Sequence, residues 1–217
     1  MCPCARRWIR PWPEQRNVQG FPNDSKKGRR TVADNDSNEP TVSASRRRES
    51  LRRQYRPERV RILFVGEAPP VSGRFFYQRD SGLYRVLRDT FIAAFPALPK
   101  DEFLEAFRDF GCYLVDLCGQ PVDHLSRGKR ITICCAGEVR LARTIRTLRP
   151  IVIITLVRSI RASVIRAQMM VGWSGMHLEL PYPGRWKHHR IQFQCQLEPV
   201  LKTLSQPSHD HVVKPRN

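Results

Sequence analysis

A single carboxylate follows the first apolar run of strand length in the sequence. Residues 62–65 read ILFV and residues 66–70 read GEAPP, in which Glu67 carries the only charge. Because proline fixes φ and has no backbone N–H to donate, a strand cannot continue through this segment and a stiff loop must begin there. A carboxylate on such a loop can orient a water molecule or stabilise a developing positive charge. Glu67 is therefore a candidate catalytic residue.

A second candidate region, PYPGRWKHHR at residues 181–190, combines aromatic rings with positive charge. Its cations can contact phosphate groups, and its rings can stack on planar groups or wedge between them. The side chains that we predict to contact nucleic acid are Arg185, Trp186, Lys187 and Arg190. The alternative is that Trp186 packs under the loop as core while its neighbours are solvated. His188 and His189 are candidate catalytic donors, or else part of a surface loop that binds phosphate.

Alternating strand and helix patterns surround both regions. Apolar runs predict strands at 61–66, 112–117, 151–157 and 176–180, and helical periodicity predicts helices at 81–95, 101–110, 138–149, 159–170 and 191–204. Such alternation is typical of an α/β domain around a parallel sheet, whose ligands bind beyond the carboxyl ends of the strands. The loop that carries Glu67 and the loop at 181–190 should therefore open on the same edge.

The chain is strongly basic. It has 217 residues, with 38 Lys and Arg against 20 Asp and Glu, which gives a net charge of +18. This balance indicates a polyanionic partner, with nucleic acid as the first candidate, or else a basic tail that only maintains solubility. On the predicted helix at 138–149, four arginines recur every third residue, either facing phosphate groups or forming the solvated face. They are Arg140, Arg143, Arg146 and Arg149.

Composition divides the chain into three parts. Residues 1–58 are rich in Arg, Asn, Ser and Pro and have few aliphatic side chains, which predicts a basic, largely disordered tail. Residues 59–205 carry the apolar periodicity of one folded domain, and residues 206–217 form a second tail. The longest aliphatic run, at 151–157, is far too short to cross a bilayer. We expect a monomeric, intracellular, cytoplasmic protein without a membrane partner.

The seven cysteines are unevenly spaced, which favours reduced thiols over a disulfide framework. Cys2 and Cys4 are too close together for the usual metal-binding pair, and no second suitable pair completes a zinc site. We expect neither a metal nor another cofactor.

The order of these segments resembles that of the uracil-DNA glycosylase superfamily. GEAPP after a buried strand is followed by FFYQRDSGLYRVLRDTF at 75–91, YLVDL at 113–117, TIRTLRPIVIITL at 144–156 and a late proline-rich loop. The nearest branch is the one whose first motif reads GEAPG, and the resemblance covers roughly residues 61–204. It implies a three-layer sandwich around a parallel sheet of about four strands. It also implies a DNA partner and hydrolysis of the N-glycosidic bond of a damaged or deaminated base in DNA repair.

The resemblance also suggests roles for individual residues. Glu67 takes the place of the carboxylate that positions or activates the attacking water, and Phe76 or Tyr77 would stack on the flipped base. Asp116 falls where the family reads the uracil edge with Asn, and Tyr182 lies where the family has His-Pro-Ser. The remaining substrate-binding positions of the first motif are Gly66, Ala68 and Pro69.

Two of these positions depart from the family pattern. An ionised carboxylate at Asp116 lacks the amide donor and would repel the uracil carbonyl oxygens unless it is protonated. The family histidine that stabilises the departing base is absent, so His188, His189, Arg185 or Lys187 would have to replace it.

One branch of the family carries an iron–sulfur cluster on four cysteines. Cys118 with Cys134 or Cys135 has a similar spacing, but the first pair would have to be Cys2 and Cys4. We expect buried thiols instead of a cluster.

Three functions remain open from the sequence. The first is an active glycosylase, with an altered base preference as one variant of this hypothesis. The second is a DNA-binding member of the fold with weakened catalysis. The third is a small-molecule or nucleotide α/β enzyme, although the chain lacks the glycine-rich GxGxxG and GxxxxGK[ST] phosphate loops.

Overall fold

Four short parallel strands form the centre of the protein in a computed structural model, which describes residues 39–184 and 186–205. The strands are β1 (Ile62–Gly66), β2 (Cys112–Asp116), β3 (Val152–Thr155) and β4 (Met176–Glu179), in the order β2-β1-β3-β4. Every pairing is parallel. The strands β1 and β3 are almost entirely buried, which explains their continuous apolar sequences. The predicted parallel sheet of four strands is confirmed.

Helices flank the sheet, consistent with a three-layer α/β sandwich. They are α1 (Glu39–Gln54), α2 (Gly82–Ala94), α3 (Phe103–Asp109), α4 (Arg127–Leu148), α5 (Arg161–Met170) and α6 (Lys187–Ser205). As predicted, Ser81 caps α2, and its hydroxyl accepts a hydrogen bond from the backbone N–H of Tyr84 at 3.1 Å. Among the described helices, none is both long and apolar enough to span a membrane.

The strand order determines where the crossovers change direction across the sheet. From β1 the chain crosses to β2 on one side, whereas from β3 it crosses to β4 on the other. Because parallel crossovers are right-handed, the connecting helices then lie on opposite faces of the sheet. The packing agrees, since α4 packs against α5 and α2 packs against α6. The loops that leave β1 and β3 therefore separate and open a crevice between them, which is the usual ligand position in such sheets.

The structure corrects the predicted boundary of the N-terminal tail at residue 58. Residues 39–54 form α1, and Tyr55 stacks on Tyr77 with ring centroids 5.7 Å apart and an interplanar angle of 10°. Arg52 of α1 also pairs with Asp116 at the end of β2. These contacts use arginine and tyrosine side chains, so apolar periodicity could not reveal them. The rest of the predicted tail, residues 1–38, and the predicted tail at 206–217 lie outside the described residues.

Two helices begin earlier than predicted. Helix α4 begins at Arg127 rather than at Glu138, and α6 begins at Lys187 rather than at Ile191. The early turns of α4 lack an apolar stripe and leave Ile131 and Ile133 exposed, so they have no sequence signature of a buried helical face. The predicted basic loop at 119–133 is therefore partly helical.

Candidate functional site

A cavity of about 340 Å³ lies at the carboxyl ends of β1, β2 and β3. Its walls come from the GEAPP loop, from the segment around Phe75, and from Leu156 and Val157 just after β3. It therefore occupies the crevice that the strand order creates. The sequence-predicted site residues that line it are Gly66, Glu67, Ala68, Pro69, Phe76, Asp116 and Tyr182. The lining is mostly apolar, with a few charged groups, as is usual for sites that bind small molecules.

Glu67 is held by an arginine that the sequence did not indicate. Both carboxylate oxygens accept from Arg130 of α4, with Nε 3.2 Å from Oε1 and with Nη2 bonded to Oε2. The Glu67 side chain is 13% exposed and that of Arg130 is 35% exposed, so the pair lies at the cavity wall. The contact raises the pKa of Arg130. A two-point contact of this kind fixes the direction of the carboxylate.

Helix α4 can place Arg130 here because it approaches the sheet closely. A Cβ atom added to Gly137 would lie 2.3 Å from the backbone oxygen of Leu117, just after β2. Only a glycine permits this approach without a shift of the helix. Sequence analysis missed Arg130 because it lies in the segment that was predicted as a loop.

Asp116 closes the cavity from the end of β2. One carboxylate oxygen, Oδ2, accepts from Nη2 of Arg52 at 2.9 Å. The other, Oδ1, lies over Gly66, where an added Cβ would come within 2.8 Å of it. Burial raises the pKa of Asp116, and the neighbouring guanidinium of Arg52 opposes this rise. Asp116 lines the cavity, and its Oδ1, which does not bond to Arg52, can accept a hydrogen bond from a ligand when the carboxyl is ionised.

The structure corrects one of the two predicted stacking residues. Tyr77 is only 2% exposed and does not line the cavity. Its hydroxyl accepts from the backbone N–H of Leu114 at 2.8 Å and donates to the Leu114 carbonyl at 3.2 Å, and burial raises its pKa well above the usual value. Because Leu114 belongs to the edge strand β2, these bonds satisfy backbone groups that no neighbouring strand pairs. Tyr77 is a structural residue.

Two phenylalanines remain at the cavity wall. Phe76 belongs to an aromatic cluster and packs edge-on against Phe103, so only part of its ring is available. Phe75 also lines the cavity, and the guanidinium carbon of Arg52 lies 5.5 Å from its ring centroid. A hydrogen bond of 2.7 Å from the backbone N–H of Phe75 to Asp80 fixes this segment. Sequence analysis missed Phe75, although the FFY run contained it.

The late aromatic loop forms the rim of the cavity. Tyr182 is 48% exposed and lines both the cavity and an adjacent depression of about 550 Å³. That depression also contains Arg74, Arg85 and Arg190, all exposed, which make this part of the rim positively charged. The Nε of Arg190 donates to the Gly184 carbonyl at 2.9 Å.

The remaining rim residues have different positions. Trp186 is 59% exposed, so the alternative that it packs as core under the loop is wrong, and it does not line the cavity. Lys187 begins α6 and is exposed to solvent. The fourth predicted contact, Arg185, lies outside the described residues.

The predicted catalytic histidines are not at the Glu67 cavity. His188 and His189 lie in the first turn of α6 with ring centroids 4.2 Å apart, and neither lines the cavity. Both histidines are helical because α6 begins early. His189 faces a separate groove of about 420 Å³ that also contains Arg158. His177, on β4, lies 2.8 Å from the Thr155 hydroxyl, and burial lowers its pKa. It does not line the cavity either.

The cysteines do not form a metal site among residues 39–184 and 186–205, where no group of three or more potential ligands is assembled. Cys118 and Cys134 lie together, with sulfur atoms 3.6 Å apart, and burial together with this contact raises the pKa of Cys134 to about 12. Cys135 is exposed and faces Arg166 instead. Cys2 and Cys4 lie outside the described residues.

A scan against models of known protein families finds no match to this chain, and a search of curated proteins finds none that is significantly similar to it.

Proposed function

We propose that this protein binds DNA and receives a base, extruded from the helix, in the Glu67 cavity, as a glycosylase-like member of the uracil-DNA glycosylase superfamily. The observation that carries the proposal is the arrangement of Glu67, Phe75 and Asp116 around one cavity beside a positively charged rim. A protein that acts on a base must hold it against aromatic or apolar walls and bind the flanking phosphates. The cavity offers the first and the rim offers the second.

The proposed reaction is hydrolysis of the N-glycosidic bond. Water adds to the sugar carbon as the bond to the base breaks, and the base leaves with the bonding electrons and takes up a proton. The transition state carries positive charge on the sugar. The carboxylate of Glu67 stabilises this charge or orients the water, and Arg130 fixes its direction.

Asp116 supports a base preference that differs from uracil. Paired with Arg52, it presents acceptors to the cavity, and acceptors favour bases with amino or imino donors on the edge that they face. The carbonyl oxygens of uracil would be repelled. Asp116→Asn restores an amide donor, and we expect it to move the preference towards uracil.

A second candidate is a DNA-binding protein with weakened catalysis. Two observations favour it: Glu67 is engaged by Arg130, and none of the histidines at 39–184 and 186–205 lines the cavity. A carboxylate held by two bonds from Arg130 has fewer free lone pairs for a water molecule, and among the described residues the departing base has no histidine donor.

The deciding experiment measures base release from duplex and single-stranded oligonucleotides that carry uracil and other lesions, together with affinity for an abasic duplex. An active glycosylase releases a base, and Glu67→Gln reduces the rate far more than the affinity, because it keeps the shape and removes the charge. Glu102→Gln, an exposed carboxylate outside the cavity, is the matched control.

If the protein binds the abasic duplex but releases no base, and Tyr182→Ala abolishes this binding, the result supports a DNA-binding protein with weakened catalysis. Binding of mononucleotides without any preference for DNA favours the small-molecule alternative. If the protein neither binds abasic DNA more tightly than intact DNA nor releases a base, the proposal is overturned.

A further inference from the structure

A second concave surface, which we call the α1–α4 groove, lies on the side of the sheet next to the edge strand β2. It encloses about 340 Å³. Four arginines from both walls line it: Arg52 and Arg56 in and just after α1, and Arg140 and Arg143 on α4. Asp116 lines both the groove and the Glu67 cavity, so its side chain belongs to the wall between them.

The charges in the groove do not balance locally. Its two carboxylates, Glu49 and Asp116, both accept from Arg52, at 2.8 and 2.9 Å. Nη2 of Arg140 donates to the backbone oxygens of Asp116 and Leu117, at 2.9 and 2.8 Å. These acceptors are neutral, so Arg140 has no ion-pair partner among the described residues, although its charge acts on the nearby Asp116. The four arginines of the groove exceed its two carboxylates by two.

The other two arginines of the groove account for its excess of positive charge over its carboxylates. Arg56 and Arg143 are exposed and have no ion-pair partner among the described residues. They come from opposite walls, one beyond the end of α1 and one on α4. Their side chains are therefore available to a ligand that enters from solvent.

We infer that the α1–α4 groove is a second anion site that takes phosphate groups between Arg56 and Arg143, with Arg140 beneath them. A guanidinium is a planar fork of donors that matches the oxygens of a phosphate, and arginines on two walls can bind one such group from both sides. Arg140 is held in place by its carbonyl contacts before any ligand arrives, which reduces the entropy lost on binding. The inference does not depend on the proposed function of the Glu67 cavity.

The phosphate can come from a nucleic-acid backbone or from a small phosphorylated molecule. The net charge of +18 favours a polyanion in general. A backbone phosphate would place a nucleic-acid strand along the edge of β2, next to the wall that the groove shares with the cavity. An acidic peptide is the competing ligand, because carboxylates also fit guanidinium forks.

The test compares the full-length protein with Arg56→Ala/Arg143→Ala. The matched control is Arg47→Ala/Arg146→Ala, which removes the same charge from exposed positions on α1 and α4 that do not line the groove. The probes are a fluorescent single-stranded oligonucleotide, inorganic pyrophosphate and poly-glutamate. Affinities are measured over a range of salt concentrations, and thermal unfolding checks that each variant is folded.

The groove variant should melt like the parent protein and lose roughly 1.4 units of the salt slope for single-stranded DNA, since each lost phosphate contact accounts for about 0.7. The control should lose clearly less. A loss seen with DNA alone identifies a nucleic-acid backbone as the source, and a parallel loss with pyrophosphate identifies a small phosphorylated ligand.

Three outcomes overturn the inference. The first is an equal loss in the groove variant and the control, which would show only general charge attraction. The second is unchanged binding of both phosphate probes in the groove variant. The third is a loss for poly-glutamate as large as for the phosphate probes, which would assign the groove to carboxylates.

Discussion

Glu67 and Arg130 form a two-point ion pair, with Nε of Arg130 3.2 Å from Oε1 of Glu67, although the two residues are 63 positions apart in the chain. The pair joins the loop after β1 to the first turns of α4. It thereby fixes the carboxylate at the cavity wall and attaches the polar beginning of α4 to the rest of the fold. Arg52 and Asp116 join α1 to the end of β2 in the same way.

The pair should stabilise the fold measurably. Arg130→Ala leaves Glu67 without its partner at a mostly buried position, so we expect a loss of about 1–3 kcal/mol in the free energy of unfolding, measured by urea denaturation. In the double variant Glu67→Gln/Arg130→Ala, part of this loss should return, because no charge is left unpaired. Strictly additive losses would show that the two side chains are not coupled.

Gly137 should be necessary for the position of α4. Gly137→Ala places a methyl group 2.3 Å from the Leu117 oxygen, which must displace the helix or the loop, and we expect a loss of roughly 1–3 kcal/mol. Gly128→Ala on the same helix is the control, since an added Cβ there meets nothing within 4 Å. It should be neutral or slightly stabilising by up to about 1 kcal/mol. Similar effects of the two changes in thermal and urea unfolding would contradict the close packing.

Arg52 should influence how the stability of the fold changes with pH, because it pairs with Asp116. Burial raises the pKa of Asp116, so the folded state binds its proton more readily than the unfolded state does. Stability from this group is therefore greatest at low pH and declines as pH rises through the raised pKa. Arg52→Met removes the opposing guanidinium, and the decline between acidic and neutral pH should become steeper.

The control for this pH dependence is Arg52→Met/Asp116→Asn, which has no carboxylate to titrate. Its free energy of unfolding should vary less with pH than that of Arg52→Met alone. If the two pH profiles coincide, the charge on Asp116 is not what Arg52 compensates.

Substitutions of Tyr77 and Phe75 should affect different properties, with Tyr77 affecting stability and Phe75 affecting DNA affinity. Tyr77→Phe removes the hydroxyl that satisfies both backbone groups of Leu114, and we expect a loss of about 1–3 kcal/mol in urea unfolding with unchanged affinity for an abasic duplex. Phe75→Leu keeps the wall apolar but removes the ring, and it should weaken that affinity more than it lowers stability. If Tyr77→Phe instead weakened DNA affinity and Phe75→Leu only lowered stability, Tyr77 would be the stacking residue.

Trp186 should contribute to binding and not to folding. It is 59% exposed, so Trp186→Ala should shift the melting temperature by no more than a few degrees. If its ring stacks on a displaced base, the same change weakens binding to duplex DNA with an abasic or mismatched site, measured by fluorescence anisotropy. A protein with unchanged affinity for both kinds of duplex would exclude Trp186 from the DNA interface.

The sequence alone indicated a parallel sheet of about four strands, the end of the first strand and the place of Glu67 just after it. The runs at 62–65 and 152–155 are continuously apolar because both faces of those strands are buried, and the prolines after Glu67 end the first strand by their own covalent geometry. Ser81 marked the start of α2 for an equally local reason, since a cap bonds only to its own first turn. Such features need no information from distant parts of the chain.

The tertiary structure alone decided which charged side chains meet at the cavity. Arg130 reaches Glu67 across 63 positions and Arg52 reaches Asp116 across 64, and both arginines lie on helical turns that are held by polar contacts instead of an apolar stripe. The same reason explains the histidines: α6 begins early, so His188 and His189 turn away from the cavity that their place in the sequence suggested. Periodicity reports which face of a helix is buried in apolar surroundings, but it carries no signal for a guanidinium whose partner is a carboxylate on another element.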